Sequence, residues 1–156
     1  MCILNQSMSS SLPSSPTIPP VLIWITKLFG DSLPSDMPAS GMLLAIAEKI
    51  ADVLTGTIGY EILKKVYQMQ LIKDVDMGTV IDYNRELYAI FSRLLEAGLR
   101  RGEFKTDIPL EILSKHFVMA IRGLCYEWCI RYPKFDLKEE IAVHCKMLLH
   151  GISGKD

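Results

Sequence analysis

Residues 117–130 read FVMAIRGLCYEWCI, a stretch in which Arg122 and Glu127 are the only charged side chains. Its length and the absence of apolar–polar alternation favour a helix over a strand. A helix that is apolar nearly all round must be buried on more than one side. In a small helical domain, the simplest solution places one face of this helix in the core and another in a subunit interface.

Apolar residues recur at helical spacing on both sides of this stretch, and no run alternates as a half-buried strand would. The sequence therefore predicts an all-α fold of five main helices without a sheet. We expect these helices over residues 41–55, 58–72, 79–101, 107–131 and 136–151.

Glycine and aspartate mark several of the expected helix ends. Gly56 and Gly102 follow the first and third helices, and glycine accepts the left-handed conformation of a C-terminal cap. Asp107 is the expected N-cap of the fourth helix. Asp136 opens the fifth helix with Glu139 three residues later, which is a variant of the capping box.

The helical period also predicts which face of each helix is buried. For the third helix, the expected inner face consists of Val80, Leu87, Phe91, Leu94 and Leu95. For the second helix, it consists of Ile58, Ile62, Val66 and Met69.

The first forty residues differ in composition from the remainder of the 156-residue chain. Residues 7–20 hold six serines and four prolines, which makes a helix there improbable. We expect residues 1–40 to be a largely disordered leader with a short apolar segment at 21–30. Residues 41–156 are expected to form one helical domain.

Charge and cysteine content restrict the function classes. The formal net charge is −1, whereas a nucleic-acid binder usually carries a basic excess or a basic face. No basic residue precedes the apolar run at 21–25, which argues against a signal peptide. The run is also far too short to cross a bilayer, since a span needs roughly 20 residues. The four cysteines form no dense disulfide framework. We expect a cytoplasmic protein that does not engage a membrane.

The last three predicted helices resemble those of TetR-family transcriptional regulators. The resemblance covers residues 85–152 well and residues 41–84 loosely, and it rests on an ordered set of short motifs. These motifs are Leu94-Leu95-Glu96-Ala97-Gly98, Arg101-Gly102-Glu103-Phe104, Asp107-Ile108-Pro109, Ala120-Ile121-Arg122-Gly123-Leu124, Glu127-Trp128, Phe135-Asp136-Leu137 and Leu148-Leu149-His150-Gly151-Ile152.

The family resemblance implies a C-terminal domain that binds a small effector and forms a homodimer. It also implies an interface within residues 107–152, where the apolar arcs of the last two helices are wider than a core stripe. Two such helices from each of two chains would form a four-helix interface. The candidate interface residues are Leu124, Trp128, Ile141, Cys145, Leu148 and Ile152.

In the TetR family, a helix-turn-helix module precedes this domain. Residues 1–40 hold one lysine, no arginine and several prolines, so they do not encode such a module. We therefore expect no specific DNA binding by this chain alone. Two alternatives stay open: a truncated or frameshifted reading of a regulator, and a stand-alone sensor.

Three polar side chains, Gln70, Asn84 and His116, fall inside otherwise apolar helical arcs. A buried polar group left unpaired costs about 1–3 kcal/mol, so facing polar residues of this kind would line a pocket for a small apolar or amphipathic effector. Alternatively, each of them bonds the backbone or reaches solvent at a helix end. The expected apolar walls are Tyr67, Met69, Tyr83, Tyr88, Phe91 and Phe117.

The sequence offers little support for a metal site or a catalytic centre. Cys125 and Cys129 share a helix face, and His144 and Cys145 lie on the next helix, a set that soft metals could use. Without a Cys-x-x-Cys pair, the cysteines are better interpreted as small buried hydrophobes. No phosphate loop, paired carboxylates or triad spacing is present, so we expect neither an enzyme nor a cofactor.

Two functions therefore compete at the level of sequence. The first is the effector-binding and dimerisation domain of a TetR-like regulator. The second is a helical dimeric interaction module without a ligand, in which the segment at 21–30 engages a partner through Trp24 and Phe29.

Overall fold

The computed structural model describes residues 36–72 and 78–153, with side chains in the third helix described from Arg85 onward. The predicted apolar segment at 21–30, with Trp24 and Phe29, lies outside the described residues, as do the side chains of Val80, Tyr83 and Asn84.

The described residues form five α-helices and no strand, which confirms the all-α prediction. The helices are α1 (Ala39–Asp52), α2 (Tyr60–Ile72), α3 (Gly78–Arg100), α4 (Leu110–Arg131) and α5 (Leu137–Ile152). A π-helical turn, Val53–Ile58, continues α1. A single isolated β-bridge joins Phe104 to Ser153, so the loop after α3 lies beside the end of α5.

Two of the predicted helix ends are confirmed and two are wrong. Gly102 ends α3 in the left-handed conformation (φ 72°), and the Asp136 carboxylate accepts a 3.0 Å hydrogen bond from the Glu139 N–H. Gly56 does not end α1, because the chain runs on through the π-helical turn and leaves it at Gly59 (φ 80°). The fourth helix begins at Leu110 rather than at Asp107, since the residue before a proline is biased away from helical geometry.

The core lies between α1 and the last three helices. α1 packs against α5 and α3, α4 packs against α3 and α5, and α2 packs mainly against α4. The inner face predicted for α3 is confirmed for the described side chains, Leu87, Phe91, Leu94 and Leu95, which are at most 1% exposed.

The inner face predicted for α2 is wrong. Ile62 and Met69 are 56% and 42% exposed, and Leu63 is the buried residue of this helix. The reason is that α2 meets the remainder of the fold along one edge. There Tyr60 contacts the rings of Trp128 and Tyr132, so aromatic rings rather than an aliphatic stripe make the contact.

The loop after α3 fixes the N-terminus of α1. Pro38, the N-cap residue of α1, provides no side-chain cap. The Glu103 carboxylate instead accepts a 2.6 Å hydrogen bond from the Ala39 N–H, and the Arg101 guanidinium donates to the Met37 carbonyl at 3.0 Å. A carboxylate at a helix N-terminus satisfies a free N–H group and complements the helix dipole.

Gly98→Ala should destabilise the fold because a Cβ atom at this position would overlap the ring of Phe104, which is 3% exposed. We expect a loss of about 1–3 kcal/mol in the free energy of unfolding, measured by urea denaturation. Gly151→Ala is the matched control, since a Cβ there meets nothing within 4 Å. Equal stability of the two variants would contradict the close approach of Phe104 to α3.

Candidate functional site

An open groove of about 300 Å³ lies between α2 and α4. Its walls combine apolar surface with an amide and a guanidinium group. The lining residues are Tyr67, Gln70, Leu71, Met119, Arg122 and Tyr126.

Tyr67 lines this groove and ties α2 to α4. Its hydroxyl donates a 3.1 Å hydrogen bond to the Arg122 carbonyl, and its ring meets that of Tyr126 edge-on with centroids 5.6 Å apart. The ring contact gives the pair a defined geometry as well as buried area. Tyr67 therefore fixes the position of α2 relative to α4 on the two sides of the groove.

Arg122 is the one charged residue among the six that line the groove, and it is half-buried. Its guanidinium group can donate two parallel hydrogen bonds to a carboxylate or phosphate group. Gln70, half-buried on the opposite wall, offers both a donor and an acceptor. With Leu71 and Met119 as apolar surface, the groove suits an amphipathic molecule that has an acidic or hydrogen-bond-accepting head group.

A second, wider cleft of about 560 Å³ lies where the π-helical turn faces the connection between α4 and α5. Trp128, Tyr132 and Phe135 supply aromatic surface. Lys138 lines the cleft too, but its ammonium group lies 2.8 Å from the Asp52 carboxylate, and this hydrogen bond raises the pKa of Lys138. Lys134 lines the cleft as well, but it is exposed to solvent, whereas Arg122 in the groove is half-buried, so the groove is better suited to an anionic head group.

The structure brings together only part of the predicted ligand site. Tyr67 and Gln70 line the groove, whereas Phe91 and Phe117 stack in the core with ring centroids 6.0 Å apart. Tyr88 is half-buried against that core, and His116 is exposed. Phe91 and Phe117 therefore belong to the core, and the pocket predicted around Gln70, Asn84 and His116 stays a prediction. The side chain of Asn84 lies outside the described part of the structure.

Sequence reasoning missed four of the groove residues, Leu71, Met119, Arg122 and Tyr126. Arg122 was visible as a charge inside an apolar helix. The helical period could not show that α2 would pack beside it, because that choice depends on tertiary contacts.

Most of the candidate dimer-interface residues lie inside one chain. Four of them are at most 5% exposed, because α1 covers the inner arc of α5 and Tyr60 of α2 lies against Trp128. The four are Trp128, Ile141, Cys145 and Ile152. These four side chains have no free surface to offer a second chain. Leu124 and Leu148 are half-buried against the same core. The exposed apolar side chains on the two helices are Ile112, Met119, Tyr126, Ile130, Val143 and Met147.

Cys125 and Cys145 behave as buried hydrophobes rather than as reactive groups. Burial raises the pKa of Cys125 to about 12, with neighbouring Cys129 adding to the rise and a hydrogen bond with Tyr67 opposing it. Burial also raises the pKa of Cys145 to about 11. Since the thiolate is the nucleophile and the metal ligand, both thiols are inert at neutral pH.

Two further findings concern metals and membranes. Within residues 36–72 and 78–153, no three His, Cys, Asp or Glu side chains are grouped so that they could hold a metal ion. None of the helices in the described part of the chain combines the length and the apolar character needed to cross a bilayer.

Comparisons of this chain with protein-family models, with curated proteins and with solved structures found no match.

The buried thiols should make the fold less stable at alkaline pH. Cys125 and Cys145 ionise near pH 9 when unfolded but only near pH 12 and 11 when folded. Their folded pKa values are raised, so the stability they contribute is complete below pH 9 and is lost as the pH rises towards 11–12. We expect the free energy of unfolding, from urea titrations at pH 8 and 10.5, to fall less in Cys125→Ala than in the wild type. Parallel pH profiles of the two proteins would contradict this prediction.

Proposed function

We propose that this chain is the effector-binding and dimerisation domain of a TetR-like transcriptional regulator. The effector would be a small amphipathic molecule with an acidic head group, bound in the groove between α2 and α4. The observation that carries this proposal is the half-buried Arg122 in a groove whose other walls are largely apolar.

The composition of the groove supports this ligand class. Binding sites for small molecules are mostly apolar and contain a few placed polar groups that orient the ligand, and about 300 Å³ lies at the lower end of their size range. Leu71 is 70% exposed and Met119 is 48% exposed, so an apolar tail would cover surface that a single chain leaves open to water. The head group would then lie against Arg122 and Gln70.

The attachment of α2 supports a mechanism of population shift. α2 inserts a single buried side chain, Leu63, into the core and is otherwise held by ring contacts and the hydrogen bond from Tyr67 to the Arg122 carbonyl, whereas α1 is buried along its length. A ligand between α2 and α4 would favour one position of α2 relative to α4, in proportion to its differential affinity for the alternatives. The π-helical turn would pass this change to α1, and so to any DNA-binding module attached upstream of it. We do not expect this chain alone to bind duplex DNA specifically.

A second candidate is a helical dimeric interaction module without a ligand. It is favoured by the solid core where Phe91 stacks on Phe117, and by the openness of the groove. In this case the exposed apolar side chains of α4 would serve protein contacts alone. The two candidates differ in whether the wild-type chain binds a small amphipathic anion.

Decanoate, an amphipathic anion of suitable size, is the probe for the groove. We expect the wild type to bind decanoate, and Arg122→Gln to weaken binding roughly tenfold (~1.4 kcal/mol) in isothermal titration calorimetry, because the head group loses its cation. Lys115→Gln is the control, since Lys115 is an exposed cation on the same helix outside the groove. Equal affinities of the two variants would contradict the role of Arg122. No decanoate binding by the wild type would favour the interaction module.

A further inference from the structure

Six exposed residues follow one another along the side of α4 that faces away from the core. We call them the outward stripe: Ile112, His116, Met119, Gly123, Tyr126 and Ile130. Successive members are separated by 4, 3, 4, 3 and 4 residues. This alternation keeps side chains in line on one face of a helix and is the spacing by which two helices pack along a shared seam.

The spacing of the outward stripe reads the same in both directions along the helix. In an antiparallel pair related by a two-fold axis, the numbers of two contacting residues, one from each copy, add to the same sum for every contact. The pairs Ile112 with Ile130, His116 with Tyr126, and Met119 with Gly123 share one sum, 242. An antiparallel register shifted by a whole heptad leaves members of the stripe without a counterpart.

We propose that a second copy of this chain packs antiparallel on the outward stripe, about a two-fold axis at the level of residue 121. In this register, Ile112 meets the partner's Ile130, His116 meets the partner's Tyr126, and Met119 meets the partner's Gly123. The inference rests on the homodimer of the proposed function and names the surface and the register of that homodimer.

Gly123 supports this pairing because the single chain gives no packing reason for a glycine there. It lies within α4, it is exposed, and a Cβ atom at this position would meet nothing within 4 Å. Glycine is a poor helix former, and at this position it leaves room for the close approach of another molecule. In the proposed register, the long and flexible Met119 of the partner occupies the space over Gly123, as a knob fills a hole.

Charge also favours the antiparallel register. The outward stripe contains no Asp, Glu, Lys or Arg. Glu127, which follows Tyr126 along the chain, already accepts a 2.9 Å hydrogen bond from the Arg131 guanidinium. It would lie beside the partner's His116, whose imidazole can donate to the remaining lone pairs of the carboxylate. A parallel pair would instead place His116 on the partner's His116 and leave an empty space between the two Gly123 residues.

The outward stripe supplies less than half of a standard contact surface. From Ile112 to Ile130 it is about 27 Å long and as wide as a helix, which corresponds to roughly 300 Å² per copy. Its large apolar members are 43–60% exposed. The remainder of the roughly 800 Å² per partner of a standard interface would come from elements beside α4. On α5, which packs against α4, Val143 and Met147 are 48% and 66% exposed.

A charge-complementation experiment tests both the surface and the register. Ile112→Glu and Ile130→Lys are each expected to weaken the dimer at least tenfold in sedimentation velocity at micromolar concentration, because each buries unpaired charges against an isoleucine. An equimolar mixture should restore a dimer with one copy of each. Its two end contacts would then be one glutamate–lysine pair and one isoleucine pair. Native mass spectrometry, with one variant tagged, identifies that heterodimer.

The outcomes separate this inference from the proposed function. A monomeric wild type overturns both. If each variant is weakened but the mixture is not restored, the register is wrong and the dimer stands. If both variants dimerise like the wild type, the dimer lies elsewhere. Ile62→Glu is the matched control, because Ile62 is 56% exposed outside the stripe, and it should leave the dimer unchanged.

A second pair of variants tests the register if circular dichroism shows that the charged variants contain less helix than the wild type. Met119→Gly and Gly123→Met should each weaken the homodimer, the first by leaving gaps and the second by crowding. Their mixture should restore it, since each methionine then meets a glycine. Failure of that mixture to dimerise more tightly than either variant alone would overturn the register.

Discussion

The burial of α1 is the constraint on which the described structure depends. Met42, Leu43 and Ile46 have no exposed surface, and α1 lies against both α3 and α5. Its N-terminus is held by the carboxylate of Glu103, from the loop that also reaches the end of α5. Because α1 takes up the inner arc of α5, the side chains of Ile141 and Cys145 become core. On α5, only the outer face is therefore left for contact with another molecule.

This arrangement puts the groove and the outward stripe on one helix. Met119 and Tyr126 belong to both: they line the groove with Tyr67, and they lie on the seam at which we place a second copy. A molecule in the groove and a partner chain would therefore touch the same two side chains. Such shared contacts allow the two binding events to change each other's affinity, since coupling between sites is reciprocal.

Helix existence and helix type could be predicted because apolar period, caps and turn residues act locally. The inner face of α3, the left-handed Gly102 and the Asp136 cap were all predictable, since each depends on neighbours within a few residues. Gly56 was mispredicted because the buried Leu54 lies within a π-helical turn that carries the chain past it. In the candidate site, only Tyr67 and Gln70 were anticipated, since the groove exists only where α2 meets α4.

The sequence by itself determined that the described part of the chain forms five helices and that α4 is apolar on nearly every side. It also determined the alternating spacing of the outward stripe, because that spacing depends on residue numbers alone. Only the tertiary structure decided which apolar face is core and which is free, because a helical period shows that a face must be covered and not what covers it. Trp128 and Met119 lie on one apolar helix. Packing within the chain buries the first and leaves the second 48% exposed.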